Sequence, residues 1–90
     1  MIKAYILTEM RPGDYNKAIK EMEKIENIKK ISVVAGDYDI IIRAEVNRIN
    51  DLLKLTNKLH MIDGVNKTKT QVIEKELVHS GLYKNISSKR

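Results

Sequence analysis

Ninety residues leave room for one domain, since typical domains run to about 100–150 residues. The chain is 42% hydrophobic and 32% charged, with 17 Lys and Arg against 12 Asp and Glu, a net +5. It has no cysteine, which excludes disulfide frameworks, thiolate zinc sites, iron–sulfur clusters and cysteine nucleophiles.

Residues 2–9 alternate, with Ile2, Ala4 and Ile6 on one face and Lys3, Tyr5 and Leu7 on the other, which is strand periodicity. Arg11-Pro12-Gly13-Asp14 breaks the pattern, and Asp14 is placed to cap a helix. Tyr15, Ala18, Ile19, Met22 and Ile25 then form one helical stripe, with Lys17, Lys20, Glu21, Glu23 and Lys24 turned to water. Asn27 stops it. Ile31, Val33 and Val34 mark a second strand over residues 30–35. Gly36-Asp37 reads as a two-residue hairpin turn, with Gly36 supplying a positive φ.

The next strand spans residues 38–46. Its Ile40-Ile41-Ile42 run is apolar on both faces, which places it inside a sheet. Asn47 is placed to cap a second helix whose stripe is Ile49, Leu52, Leu53, Thr56, Leu59 and Ile62. Asp63-Gly64 ends it, and residues 65–75, rich in Val, Thr and Ile, make the last strand. The order βαββαβ is that of an α+β, ferredoxin-like sandwich. Residues 77–90 form a basic tail with Lys84, Lys89, Arg90 and no acid. Residues 1–76 carry 14 bases and 12 acids with the signs interspersed, an ordinary solvated surface rather than a phosphate-binding stripe.

Helices on one side of such a sheet leave the other side bare. If Ile2, Ala4, Ile6, Ile40, Ile42 and Ala44 face the helices, the bare side carries Tyr5, Leu7, Val34, Ile41 and Ile73. Five apolar side chains on one open face predict self-association through it, worth several kcal/mol at about 25 cal/mol per Å2. A small core gains from that enlargement.

Catalytic and metal chemistry find little support. His60 and His79 belong to different elements and lack metal-ligand spacing, and His60 reads as a helix-edge residue. The serines sit in no nucleophile elbow, and the glycines are too scattered to cradle a phosphate. Asp37 and Asp39 fall short of the six or more oxygens that calcium takes. RNA-recognition modules share the topology but stack bases on aromatics of the central strands, where this chain offers Tyr5, Tyr38 and aliphatics, with no Phe or Trp. No cofactor or metal is expected. No apolar run approaches the roughly 18–20 residues of a membrane span, and Met1-Ile2-Lys3-Ala4-Tyr5 lacks a signal-peptide core. A cytoplasmic protein without membrane contact is expected.

The segment Val34-Ala35-Gly36-Asp37-Tyr38-Asp39-Ile40-Ile41-Ile42-Arg43-Ala44-Glu45-Val46 resembles the signature hairpin of the Lrp/AsnC family, in its effector module, the RAM domain. Arg11-Pro12-Gly13 before the first helix, and Asp63-Gly64-Val65 leading to Thr68-x-Thr70, sit where that module would put them. The resemblance covers residues 1–76 as a ligand-binding and oligomerisation domain, with 77–90 outside it.

The resemblance implies a non-catalytic sensor in the transcriptional regulation of amino-acid metabolism. It implies a dimer whose sheets pack face to face into an α/β barrel. Dimers would assemble further, and a free amino acid or similar metabolite would bind between them. The implied ligand residues are Gly36, Asp37, Tyr38 and Asp39 on the hairpin, with Thr68 and Thr70 from a neighbouring subunit. Asp39 would pair with the ligand's ammonium while Asp37 points to water. The dimer interface would use Tyr5, Leu7, Val34, Ile41 and Ile73.

Full-length members begin with a helix-turn-helix. This chain begins at the first RAM-like strand, which points to the stand-alone RAM proteins and to co-assembly with full-length regulators. Direct sequence-specific DNA binding is not expected. Two other readings use related folds: a monooxygenase-like enzyme on a dimeric barrel, with Tyr5 and Tyr15 as candidate groups, and an ACT-like regulatory module.

Overall fold

In the computed structural model, residues 1–13 and 15–79 are described. The expected Asp14 cap and residues 80–90 of the basic tail lie outside them. The elements are β1 (Ile2–Met10), α1 (Asn16–Glu23), β2 (Ile28–Val33), β3 (Ile40–Val46), α2 (Ile49–His60) and β4 (Val65–Val72). The four strands form one sheet in the order β2-β3-β1-β4, with every neighbouring pair antiparallel. This is the expected α+β, ferredoxin-like topology.

Strand alternation sets the layers. Ala4, Ile6, Thr8 and Met10 of β1 are buried, as are Ile40, Ile42, Ala44 and Val46 of β3. The helices close over that face with Ala18 and Met22 of α1 and Leu52, Leu55 and Leu59 of α2. Ile6, Met22, Ile40, Ile42, Leu55 and Leu59 are fully buried. Each contributes about 1.5–3 kcal/mol of transfer free energy. None of the helices is long and apolar enough to cross a membrane among the described residues.

The barrel expectation is overturned. The sheet is open, with β2 and β4 as its two edges. Four strands are too few to close, because a barrel of about eight is what leaves an interior just wide enough for side chains.

The hairpin differs as well. Strands β2 and β3 are joined by six residues, 34–39, rather than by a Gly36-Asp37 turn, and Gly36 is not at positive φ. The Val34 N–H donates to the Asp39 carbonyl (2.9 Å), and the Asp39 N–H turns to the Thr8 carbonyl of β1 (3.0 Å). With residue 39 drawn to β1, the two strands stop pairing early and a wider tip is left. At the other end β2 starts sooner than expected, because Asn27 accepts from the Glu45 N–H (3.0 Å) and an irregularity at Ile28/Lys30 resets the register.

Helix α2 begins after Arg48, whose backbone is extended, and not at an Asn47 cap. Its buried stripe is Leu52, Leu55 and Leu59, while Ile49 and Leu53 are exposed. The turn after α2 needs its glycine. Gly64 has φ 98°, and a Cβ there would come within 3.3 Å of the Met10 Cε. The Gly64 carbonyl accepts the Arg11 N–H (2.8 Å), tying this turn to the end of β1.

Candidate functional site

The hairpin tip projects from one end of the sheet. Gly36 and Asp37 are exposed, and Tyr38 and Asp39 are half-buried. Asp39 is tied into the fold: its Oδ2 accepts the Met10 N–H (2.8 Å). That amide faces the β3 side of β1, as the Thr8 carbonyl does, just past Thr8–Ile40 where the β1–β3 ladder ends, and the carboxylate takes it up. Tyr15 lies against the same carboxylate. Burial first, and then the charge and hydrogen bond of Asp39, push its phenol above the usual value. Tyr15 also borders a cleft of about 210 Å3 with Met10, Arg11, Asp63 and Gly64. Arg11 and Asp63 form an exposed ion pair there (2.7 Å). Asp39 therefore has an anchoring role that the sequence did not suggest.

Thr68 and Thr70 stand opposite Thr8 and Ile6, on the helix-covered face of edge strand β4. His60 Nε2 at the end of α2 is 2.9 Å from Thr68 Oγ1. His60, read as a helix-edge residue, is exposed as expected but orients one of the candidate threonines. The hairpin and the threonine pair share an end of the sheet: Ile40, Thr8 and Thr68 lie in one row across β3, β1 and β4. They do not meet, because β1 runs between them, and two interstrand spacings amount to about 10 Å.

The face away from the helices follows the pairing. Leu7 stands opposite Ile41, and Tyr5 opposite Arg43. Tyr5 is exposed, whereas Leu7, Ile41, Val34 and Ile73 are half-buried. Less apolar surface is open here than five exposed side chains would give.

The other end of this face is charged, which the apolar pattern had not revealed. Arg43 donates Nη1 to Glu45 (2.6 Å), and both Nη2 and Nε to Glu76 (2.7 and 3.3 Å). These bonds, Glu76 first, push the guanidinium above its usual value. In turn the Arg43 hydrogen bond holds the Glu45 and Glu76 carboxyls below the usual range, against the opposing effect of burial. Elsewhere, no group of three or more His, Asp or Glu converges to hold a metal among the described residues.

Comparison with known proteins fits this architecture to a family. Over 77 residues the chain is 26% identical to homocitrate synthase of Sulfurisphaera tokodaii, covering 84% of this chain and 17% of that protein. It is 26% identical to the HTH-type transcriptional regulator FL11 of Pyrococcus furiosus, covering 82% of this chain and 49% of the regulator. The chain thus spans half or less of these curated relatives. A feast or famine regulatory protein from M. tuberculosis, solved in complex with L-methionine, superposes with a TM-score of 0.77 at 18% identity. That overlap covers 90% of this chain and 55% of the other, and at this identity it shows a shared fold. The family described as the Lrp/AsnC ligand binding domain matches residues 3–83, nearly the whole chain. With its βαββαβ sheet and Gly36-Asp37-Tyr38-Asp39 hairpin, the chain belongs to the Lrp/AsnC family as a ligand-binding domain.

Proposed function

We propose that this chain binds a free amino acid as a regulatory effector and does so as a self-assembled sensor, without catalysing a reaction. The observation that carries the reading is the arrangement at the hairpin end of the sheet. Gly36 and Asp37, the latter a carboxylate, are exposed at the tip, and Thr68 offers a hydroxyl two strands away. A zwitterion buried from water needs an anion for its ammonium and donors for its carboxylate. In one chain these groups are further apart than the two ends of an amino-acid backbone. A ligand held by both sets therefore takes the hairpin from one copy and the threonines from another.

The comparisons lend two supports. The M. tuberculosis regulator of the same fold was solved with L-methionine. Related sequence also occurs within a transcriptional regulator and within a synthase, which suits a sensor whose output depends on what it is joined to or assembled with. Co-assembly with full-length regulators of the family follows from the same reading, and no specific DNA contact of its own is needed.

Copies assemble through the open face around Tyr5, Leu7 and Ile41, with Val34 and Ile73 at its margins. Asp37 takes over the expected ammonium contact, since one oxygen of Asp39 already serves the Met10 amide. A thermal-shift screen against the twenty amino acids tests the proposal, because a native-state ligand stabilises by mass action. At least one amino acid at millimolar concentration should raise the melting temperature, and Asp37→Ala should weaken that response. No response from any of the twenty would refute the amino-acid reading.

A further inference from the structure

The segment after β4 does not leave the sheet. The Ile73 N–H still donates to the Lys3 carbonyl (2.8 Å), so residue 73 lies beside β1. Three residues later Glu76 grips Arg43 on β3, the opposite neighbour of β1. The link from residue 73 through the Glu76 and Arg43 side chains thus passes over β1 on the open side, where Arg43 stands opposite Tyr5. Residues 74–76 and the Arg43 side chain together make a strap over the charged end of that face.

The strap is held by a well-formed clamp. Arg43, Glu45 and Glu76 side chains are 18%, 22% and 32% exposed, whereas Lys24–Glu21 and Arg11–Asp63 are 49% exposed or more. Two-pronged Arg–carboxylate contact of this kind fixes geometry as well as charge. Directly beyond the clamp come Leu77 and Val78, which are 71% and 82% exposed. Their own chain gives them little cover, yet the clamp holds them at the open face.

We propose that the strap, residues 74–78, is an assembly element: clamped by Glu76 on Arg43, it presents Leu77 and Val78 to the open face of a second copy of this chain. This rests on the reading that copies associate through that face. The charges argue for a second copy as the occupant. The face carries Lys3, Lys30, Arg43, Lys67 and Lys69 together with Glu9, Glu45 and Glu76. A two-fold contact brings a patch against itself, so a patch with both signs can satisfy its own image. A nucleic acid would want one sign.

The test is the dimer dissociation constant of the full chain, read by sedimentation over a dilution series, with circular dichroism as a check on folding. Three variants are compared with wild type: Ile41→Lys, Glu76→Gln, and the double variant Leu77→Ser/Val78→Ser. Ile41→Lys should give monomers, since it puts an unpaired charge in the contact. The double variant should weaken the dimer at least tenfold, and Glu76→Gln should weaken it by less, both with unchanged circular dichroism. If Ile41→Lys dissociates the protein but both strap variants keep the wild-type constant, the strap proposal is overturned and the face reading stands. If the strap variants tighten the dimer, the strap is a self-cover that competes with the second copy, and the proposal is again overturned. A wild-type monomer, or an Ile41→Lys protein that stays associated, removes the face reading and the strap with it.

Discussion

Asp39→Ala should cost stability before it costs affinity. The substitution removes the acceptor of the Met10 amide, a 2.8 Å bond between groups 29 residues apart, and the carboxylate beside the Tyr15 phenol. A hydrogen bond to a charged group contributes about 1.5–3 kcal/mol, and a part-buried amide left unpaired forfeits that contribution. In a domain of this size 1 kcal/mol moves the melting temperature by about 4–8 °C, so a loss of the order of 10 °C is expected. Asp39→Asn keeps an acceptor oxygen without the charge and should lose roughly half as much. Urea unfolding of the three proteins, followed by circular dichroism, gives the free energies directly. The same proteins titrated with the best amino acid of the thermal screen separate anchoring from ligand contact. If Asp39→Ala unfolds at the wild-type urea midpoint, the carboxylate is not an anchor, and its bond to Met10 has been overvalued.

Leu55→Ala should destabilise by about 2–5 kcal/mol, because Leu55 is fully buried beneath the sheet, while Leu53→Ala on the exposed side should change stability by less than about 0.5 kcal/mol. Chemical denaturation of both variants checks the phase of α2. Gly64→Ala should cost about 1 kcal/mol or more, since it forces a side chain into φ 98° and against the Met10 Cε; a thermal melt unchanged from wild type would contradict this. The clamp gives a pH dependence of known sign. The Glu45 and Glu76 carboxyls are depressed by Arg43, so their contribution is complete above the ordinary Glu range and is lost as pH falls through the lowered values. Urea unfolding across the acid range should show this loss in wild type and a smaller one in Glu76→Gln.

The fold was legible because its signals are periodic. The alternation of Ile2, Ala4 and Ile6, and of Ile40, Ile42 and Ala44, placed both central strands and assigned their faces correctly. Helical periodicity found α2 but not its phase. Leu52, Leu53, Leu55 and Leu59 admit two stripes, and only the packing against β3 and β4 selects 52, 55 and 59. Caps misled because Asn47 was offered by composition, whereas the chain enters α2 through an extended Arg48 with no side-chain cap. The turn misled for a similar reason. Gly36-Asp37 is a sound local hairpin signal, but a non-local bond from the Asp39 amide to Thr8 outweighs it.

The site was less legible than the fold because its decisive contacts have no period. A two-residue repeat tells which side of the sheet a residue faces; it cannot tell which amide a carboxylate will meet. The end of the β1–β3 ladder at Thr8–Ile40 leaves no mark in the apolar alternation of β1, yet it leaves the Met10 N–H beyond the last strand pair, where Asp39 takes it up. Arg43 and Glu76 are 33 residues apart, and each looks like a solvated charge when read alone. Their pairing depends on β3 and β4 lying on either side of β1, a fact of sheet order and not of local pattern. Sheet order also separates the hairpin from Thr68 within one chain. The sequence could name the groups suited to an amino acid. On the proposed reading, it is the position of β1 between them that calls for a second copy to bring them together.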